Sequence, residues 1–370
     1  MRTLASTVKR YPGTQSKATR GASVARLLAG AWRGSPAPPA SSAQELNEIS
    51  NLLLTSGAAG LAWHRIRGSA LGRGPVADQL HQAYRRDTLY AALQHRSLKQ
   101  IIPLLRRSGV EPLLVKGWAI ARYYPEPGLR PYIDLDLCVA QDQYADAMRV
   151  LSLPEADGCN VDLHAGFGKF HDSRADEIFE RSRLASLDDL EVRVLSAEDD
   201  LRFLCIHLLR HGAVRPLWLC DIAILLEQRS GGFDWDRCLS GSQREVDWIS
   251  CAIGLAHQLL GVDVERTPVA HRARNLPGWL APTVLQSWGM PLPTLPQIKA
   301  LLRQPASLLR SLPREMRRHW PNPIEATMTL EGPFNRLPRL PFQVGHVLSR
   351  TAALVAQVLG DSRNAAQHGS

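Results

Sequence analysis

Pro131-Tyr132-Ile133-Asp134-Leu135-Asp136-Leu137-Cys138-Val139 alternates polar and apolar residues through its centre, the pattern of a strand with one dry face and one polar face. Ile133, Leu135, Leu137 and Val139 line the dry face. Asp134 and Asp136 share the other, with α-carbons about 6.6 Å apart. Two carboxylates that close repel each other unless a cation lies between them. Hard oxygen ligands of this kind suit Mg²⁺ or Mn²⁺, ions that also bind phosphate oxygens.

The neighbouring segments extend this pattern. Upstream, Pro112-Leu113-Leu114-Val115 reads as a short buried strand running into Lys116-Gly117, with a helix starting at Trp118. A glycine at a strand-to-helix turn lets backbone N–H groups approach a phosphate. Lys116, one of only six lysines in a chain with 44 basic residues, supplies a point charge to the same phosphates. Arg130, four residues before Asp134, is placed to reach them too. Downstream, Val161-Asp162-Leu163-His164 alternates again and puts Asp162 and His164 on one face. A third carboxylate beside two metal-binding ones is what phosphoryl or nucleotidyl transfer needs to deprotonate an attacking hydroxyl. Asp172 and Asp176 compete for that role from a more polar stretch.

The rest of the chain divides around this core. Residues 1–44 hold seven basic residues and no acid, are rich in Ser, Ala, Gly and Pro, and read as a disordered basic tail. Helical periodicity covers 45–110, with Pro75 in the first turn of a long helix, Pro103 expected to kink or end it, and Gly109 as its stop. The strands occupy 111–195. Residues 196–290 are helical, opening on Ser196 with Asp199 as a cap, with further helices near 214–229 and 242–261 and another near 297–312. Residues 291–370 are a Pro-rich basic segment with a terminal helix. The sum is an α+β fold, a small mixed β-sheet flanked by helices with a helical C-terminal part.

The net charge of +9 sits at the two ends; residues 45–290 carry 27 basic against 31 acidic residues. A nucleic-acid groove is therefore not indicated in the body, although a basic tail can hold a polyanion. No apolar run is long enough to span a membrane. The six cysteines lack CxxC or zinc spacing and suit buried thiols in a reducing, cytoplasmic compartment. Neither a P-loop nor a Gly-x-Ser-x-Gly elbow is present. His207 and His211, four apart on a helix, favour a structural role over zinc binding. Asp221 falls on the apolar side of its helix and requires a partner, for which His207 and His211 are the obvious candidates.

Val115-Lys116-Gly117-Trp118-Ala119, then Tyr124 to Arg130, then Ile133 to Val139 resemble the uncharacterised nucleotidyltransferase family of bacteria, within the DNA-polymerase-β-like nucleotidyltransferase superfamily. The resemblance continues through Val161-Asp162-Leu163-His164, Ser196 to Leu201, His207, His211 and Trp218-Leu219-Cys220-Asp221, covering roughly 45 to 290. Gly117-Trp118 stands where the wider superfamily usually has Gly-Ser or Gly-Gly. The resemblance implies a catalytic sheet flanked by helices, Asp134 and Asp136 as ligands for Mg²⁺ or Mn²⁺, and Gly117 near a triphosphate. Together with the residue reading, it gives an expected metal and catalytic set of Asp134, Asp136 and Asp162, with Lys116, Gly117, Trp118, Arg130 and His164 binding nucleotide. The expected reaction moves NMP from an NTP to a hydroxyl on a small molecule, a protein or a tRNA end. The alternative is a catalytically inactive nucleotide-binding or scaffold protein of the same fold.

Overall fold

The computed structural model describes residues 16–166, 175–292 and 320–352. Five short strands form one mixed sheet in the order β3-β2-β1-β5-β4: β1 (Leu113–Leu114), β2 (Leu135–Val139), β3 (Val161–Ala165), β4 (Arg183–Leu187) and β5 (Leu190–Val194). β1 runs antiparallel to β2 and parallel to β5, β2 runs parallel to β3, and β4–β5 is a hairpin. The α+β class read from the sequence is the class observed.

Alternation decides what each face of the sheet meets. Leu114, Leu135, Leu137, Val139, Val192 and Val194 point into a core shared with Leu98, Ile101, Ile102 and Leu105 of α4 (Pro75–Arg107) and with Ala147 and Val150 of α6 (Tyr144–Leu151). Val161 and Leu163 pack at its margin. The opposite face carries the polar residues of β2 and β3. Leu113, Cys138 and Leu195 belong to a second, larger core built from α8 (Ala197–Arg210), α9 (Pro216–Gln228) and α11 (Gln243–Leu260).

Local signals set the helix ends. Ser196 caps α8 by accepting from the Asp199 N–H, and Ser242 with Glu245 closes a reciprocal capping box on α11. Pro75 opens α4 as expected, and Gly109 follows its end with φ 77°. Pro103, however, does not end α4, which runs on to Arg107. Ile101, Ile102, Leu104 and Leu105 are all buried around it, so packing outweighs the lost hydrogen bond there.

Two expectations need correction or fall outside the described residues. The reading of 1–44 as a disordered tail fails from Lys17 onward: Lys17–Leu28 form α1, capped by Ser16. Val24, Leu27, Leu28, Ala31 and Trp32 are buried in the larger core, apolar residues that the surrounding Arg, Ser and Gly masked in the composition. Residues 1–15 and the helix expected near 297–312 lie outside the described residues, whereas 340–352 within the terminal helix are helical. The strand β4 carries little signal in the sequence, because Arg-Leu-Ala-Ser-Leu has weak strand propensity and gains its place by pairing with β5. No helix among the described residues is long and apolar enough to cross a membrane, and five of the six cysteines are buried.

α1 is held by close approach to α13 (Leu280–Trp288). A Cβ on Gly21 would fall 1.9 Å from the Leu285 carbonyl oxygen. Helix propensity alone favours Gly21→Ala by about 1 kcal/mol. The expected outcome is instead a net loss of about 1–3 kcal/mol in urea unfolding, as α1 is forced off α13; a stabilised variant would contradict this packing.

Candidate active site

The polar face of β2 and β3 is assembled by register. Asp136 pairs with Asp162 and Cys138 with His164 across the parallel ladder, so two carboxylates from neighbouring strands stand side by side. The His164 Nε2 lies 3.2 Å from Asp162 Oδ2 and 3.6 Å from Asp136 Oδ1. One ligand atom from each of Asp136, Asp162 and His164 falls within 4.8 Å of the others, an arrangement able to hold a metal ion. Asp136 is buried while Asp162 is 56% exposed at its side chain, so the cluster opens to solvent on the β3 side.

Asp134 stands just before β2, outside this group of three, but within electrostatic reach of it. Its carboxyl is pushed above the ordinary range, first by burial and then by the charge of Asp136, with Asp162 adding to the effect and Lys116 opposing it. The approach to Asp134 is fixed through the Ile133 carbonyl, which accepts from Gln94 (2.9 Å) and Asn160 (2.8 Å). The expected trio of acids thus shares one neighbourhood, but the tight cluster is Asp136, Asp162 and His164. His164, expected among the nucleotide contacts, sits between the two carboxylates. Asp172 lies outside the described residues; of Asp176 only the backbone in α7 (Ala175–Glu180) is described.

The segment after β1 supplies the nearest cation. Val115 N–H bonds to the Asp136 carbonyl at 3.0 Å, and the chain then turns through two residues with positive φ, Lys116 at 58° and Gly117 at 49°. Gly117 has ψ −123°, a combination open to glycine and costly for any other residue. The turn brings Lys116 Nζ to 2.8 Å from Asp136 Oδ1 and 5.8 Å from the centre of the Phe203 ring. Lys116 is therefore paired with the buried carboxylate of the cluster. Trp118, expected among the nucleotide contacts, is 5% exposed and packs in the α4 core, edge-on to His95.

Arg130 is placed differently from the expectation. It is 6% exposed and paired with Asp221 of α9 through Nη2 at 3.0 Å and Nε at 3.2 Å. Nη1 points at the Gly117 carbonyl, 3.5 Å away. Tyr124 completes the pair, donating to Asp221 Oδ1 at 2.8 Å. The partner of Asp221 is thus Arg130 with Tyr124, not His207 or His211. The bond stretches across the interface between the strand region and α9, and it backs the Lys116-Gly117 turn from inside. Removing either charge would leave the other buried and uncompensated, at a cost of about 3–5 kcal/mol.

His207 and His211 instead form an aromatic wall with Phe203 and Trp218 beside Lys116. The His207 ring lies 4.6 Å from that of Trp218, 4.5 Å from His211 and 5.7 Å from Phe203. Burial, then His211 and the charges of Lys116, Arg130 and Arg215, hold His207 down at about 2; burial also lowers His211. Both imidazoles are neutral near pH 7.

A family model described as an uncharacterised nucleotidyltransferase matches residues 42–261, more than half of the chain. The protein belongs to that nucleotidyltransferase family. No curated protein and no solved structure matches the chain significantly.

An imidazole that stays neutral in the fold, against 6.5 when free, stabilises the protein above about pH 6.5. That contribution is lost progressively as the pH falls toward the depressed folded value. Between pH 7.5 and 5.5 the wild type is expected to lose roughly 1 kcal/mol through His207. His207→Gln should flatten this part of the profile in urea unfolding at the two pH values, and an unchanged slope would contradict the assignment.

Proposed function

We propose that the protein transfers NMP from an NTP to a hydroxyl group of an acceptor, with release of pyrophosphate. The observation that carries the reading is the pairing of Asp136 with Asp162 on adjacent strands, with Lys116 within hydrogen-bond distance of Asp136 and the Lys116-Gly117 turn beside them, where Gly117 takes a conformation costly for other residues. Two carboxylates and an imidazole fit a divalent cation such as Mn²⁺ or Mg²⁺, and Asp136, Asp162 and His164 would hold it, with Asp134 close enough to contribute charge. When bound, such an ion neutralises carboxylate and phosphate oxygens at one point.

The remaining roles fall to the chain itself. Asp162, the most exposed acid of the cluster, accepts the proton of the acceptor hydroxyl as its oxygen bonds to the α-phosphorus. The bond from the α-phosphorus to the bridging oxygen breaks, and pyrophosphate leaves with the electron pair. Lys116 contributes an ammonium group to the phosphates, and the Lys116-Gly117 turn brings backbone close to them. Arg130 holds that turn from behind through the Gly117 carbonyl and contacts no phosphate. Trp118 anchors the short helix α5 (Trp118–Ala121) in the core.

The acceptor is a small molecule, a protein or a tRNA end; the mildly acidic body of the chain favours neither a long nucleic acid nor a polyanion. Incubation with labelled NTPs and Mg²⁺ or Mn²⁺, in lysate fractions as the source of acceptor, is expected to give label transfer and pyrophosphate. Asp136→Ala and Asp162→Asn should each lower the rate at least a hundredfold while leaving the unfolding profile near wild type. Saturable NTP binding without turnover in any fraction would assign the chain to the inactive scaffold alternative.

A further inference from the structure

We infer that Arg215, laid over Trp218 at the start of α9, is a phosphate-binding cation for the NTP, filling the role the sequence suggested for Arg130. This inference rests on the NTP reading above.

The interior cations near the sheet are committed to carboxylates: Lys116 to Asp136, Arg130 to Asp221, and Arg181 to Asp199. Arg215, exposed at the start of α9, differs from these. Its guanidinium makes no hydrogen bond or ion pair among the described residues, and it lies 5.2 Å from the centre of the Trp218 ring. An aromatic face under a guanidinium fixes its plane while leaving the N–H edges directed outward. Those edges match the spacing of phosphate oxygens, which a lysine ammonium does not.

Position adds to chemistry. A continuous run of ring contacts joins Arg215 to the candidate active site: Arg215 on Trp218, Trp218 on His207, His207 on Phe203, and Phe203 beneath the Lys116 ammonium. The charges of Lys116, Arg130 and Arg215 all act on His207. Arg215 is also partly desolvated and feels the repulsion of Arg130, and a bound polyphosphate would relieve that repulsion. Glu325 acts on His211 at one side of the ring wall, while Lys116 over Phe203 and Arg215 over Trp218 place a cation at each of its two ends.

The test is isothermal titration of the full chain with each of the four ribonucleoside triphosphates and with inorganic tripolyphosphate. Arg215→Ala is expected to weaken both the preferred NTP and tripolyphosphate about tenfold or more, with Arg215→Lys between the two. Arg149→Ala, which removes an exposed cation on α6 at the opposite face of the sheet, should change neither. Because Arg215 is exposed, its variants should unfold like wild type. If the wild type binds NTP and Arg215→Ala binds it and tripolyphosphate equally well, the inference fails and the NTP reading stands. If the wild type binds no NTP, that reading fails and takes the inference with it.

Discussion

Parallel pairing of β2 with β3 puts Asp136 beside Asp162 on the face of the sheet turned away from α4. Backbone hydrogen bonds and a buried apolar face hold the two carboxylates there, so they cannot separate to relieve their repulsion. Whatever else the site does, it must bring positive charge to that point. Lys116 on Asp136 and His164 between the acids answer part of the demand. The Asp134 carboxyl beside them is raised first by burial and then by the charge of Asp136.

A second ion pair, Arg130 with Asp221, solves a different problem. It lies deeper than Lys116–Asp136 and joins the segment between β1 and β2 to α9. Together with Tyr124 it fixes how the sheet and the helices meet. Because Arg130 also reaches the Gly117 carbonyl, the geometry of the turn and the docking of α9 are set by one buried group. The site consequently lies where two cores meet, the smaller behind the sheet and the larger around α8, α9 and α11.

Much of this was legible because alternation is a local property. Asp134-Leu135-Asp136 and Asp162-Leu163-His164 declare their faces from the sequence alone, and the mixed α+β order follows from where periodicity changes. The placement of Arg130 was not legible: an arginine near acids reads as exposed until its partner on a helix 91 positions away is known. Trp118 misled for a similar reason, since a motif position beside a phosphate turn says nothing about which core receives its ring. Asp221 announced its need for a partner, but a helical neighbour looked nearer than Arg130. Arg215 carried no signal at all, because its meaning depends on the Trp218 ring beneath it and on the other cations acting on His207. α1 was hidden by composition, its apolar stripe diluted among residues typical of tails.

The claim on which the account rests is that Asp136 and Asp162 jointly hold a divalent ion next to the nucleotide phosphates. Crystals grown with Mn²⁺ and a non-hydrolysable NTP analogue allow a direct measurement by anomalous scattering at the manganese edge. The account predicts a manganese peak within coordination distance of a carboxylate oxygen from each of these residues, with the analogue's phosphates against it. A bound analogue with manganese elsewhere, and Lys116 still seated on Asp136, would contradict it.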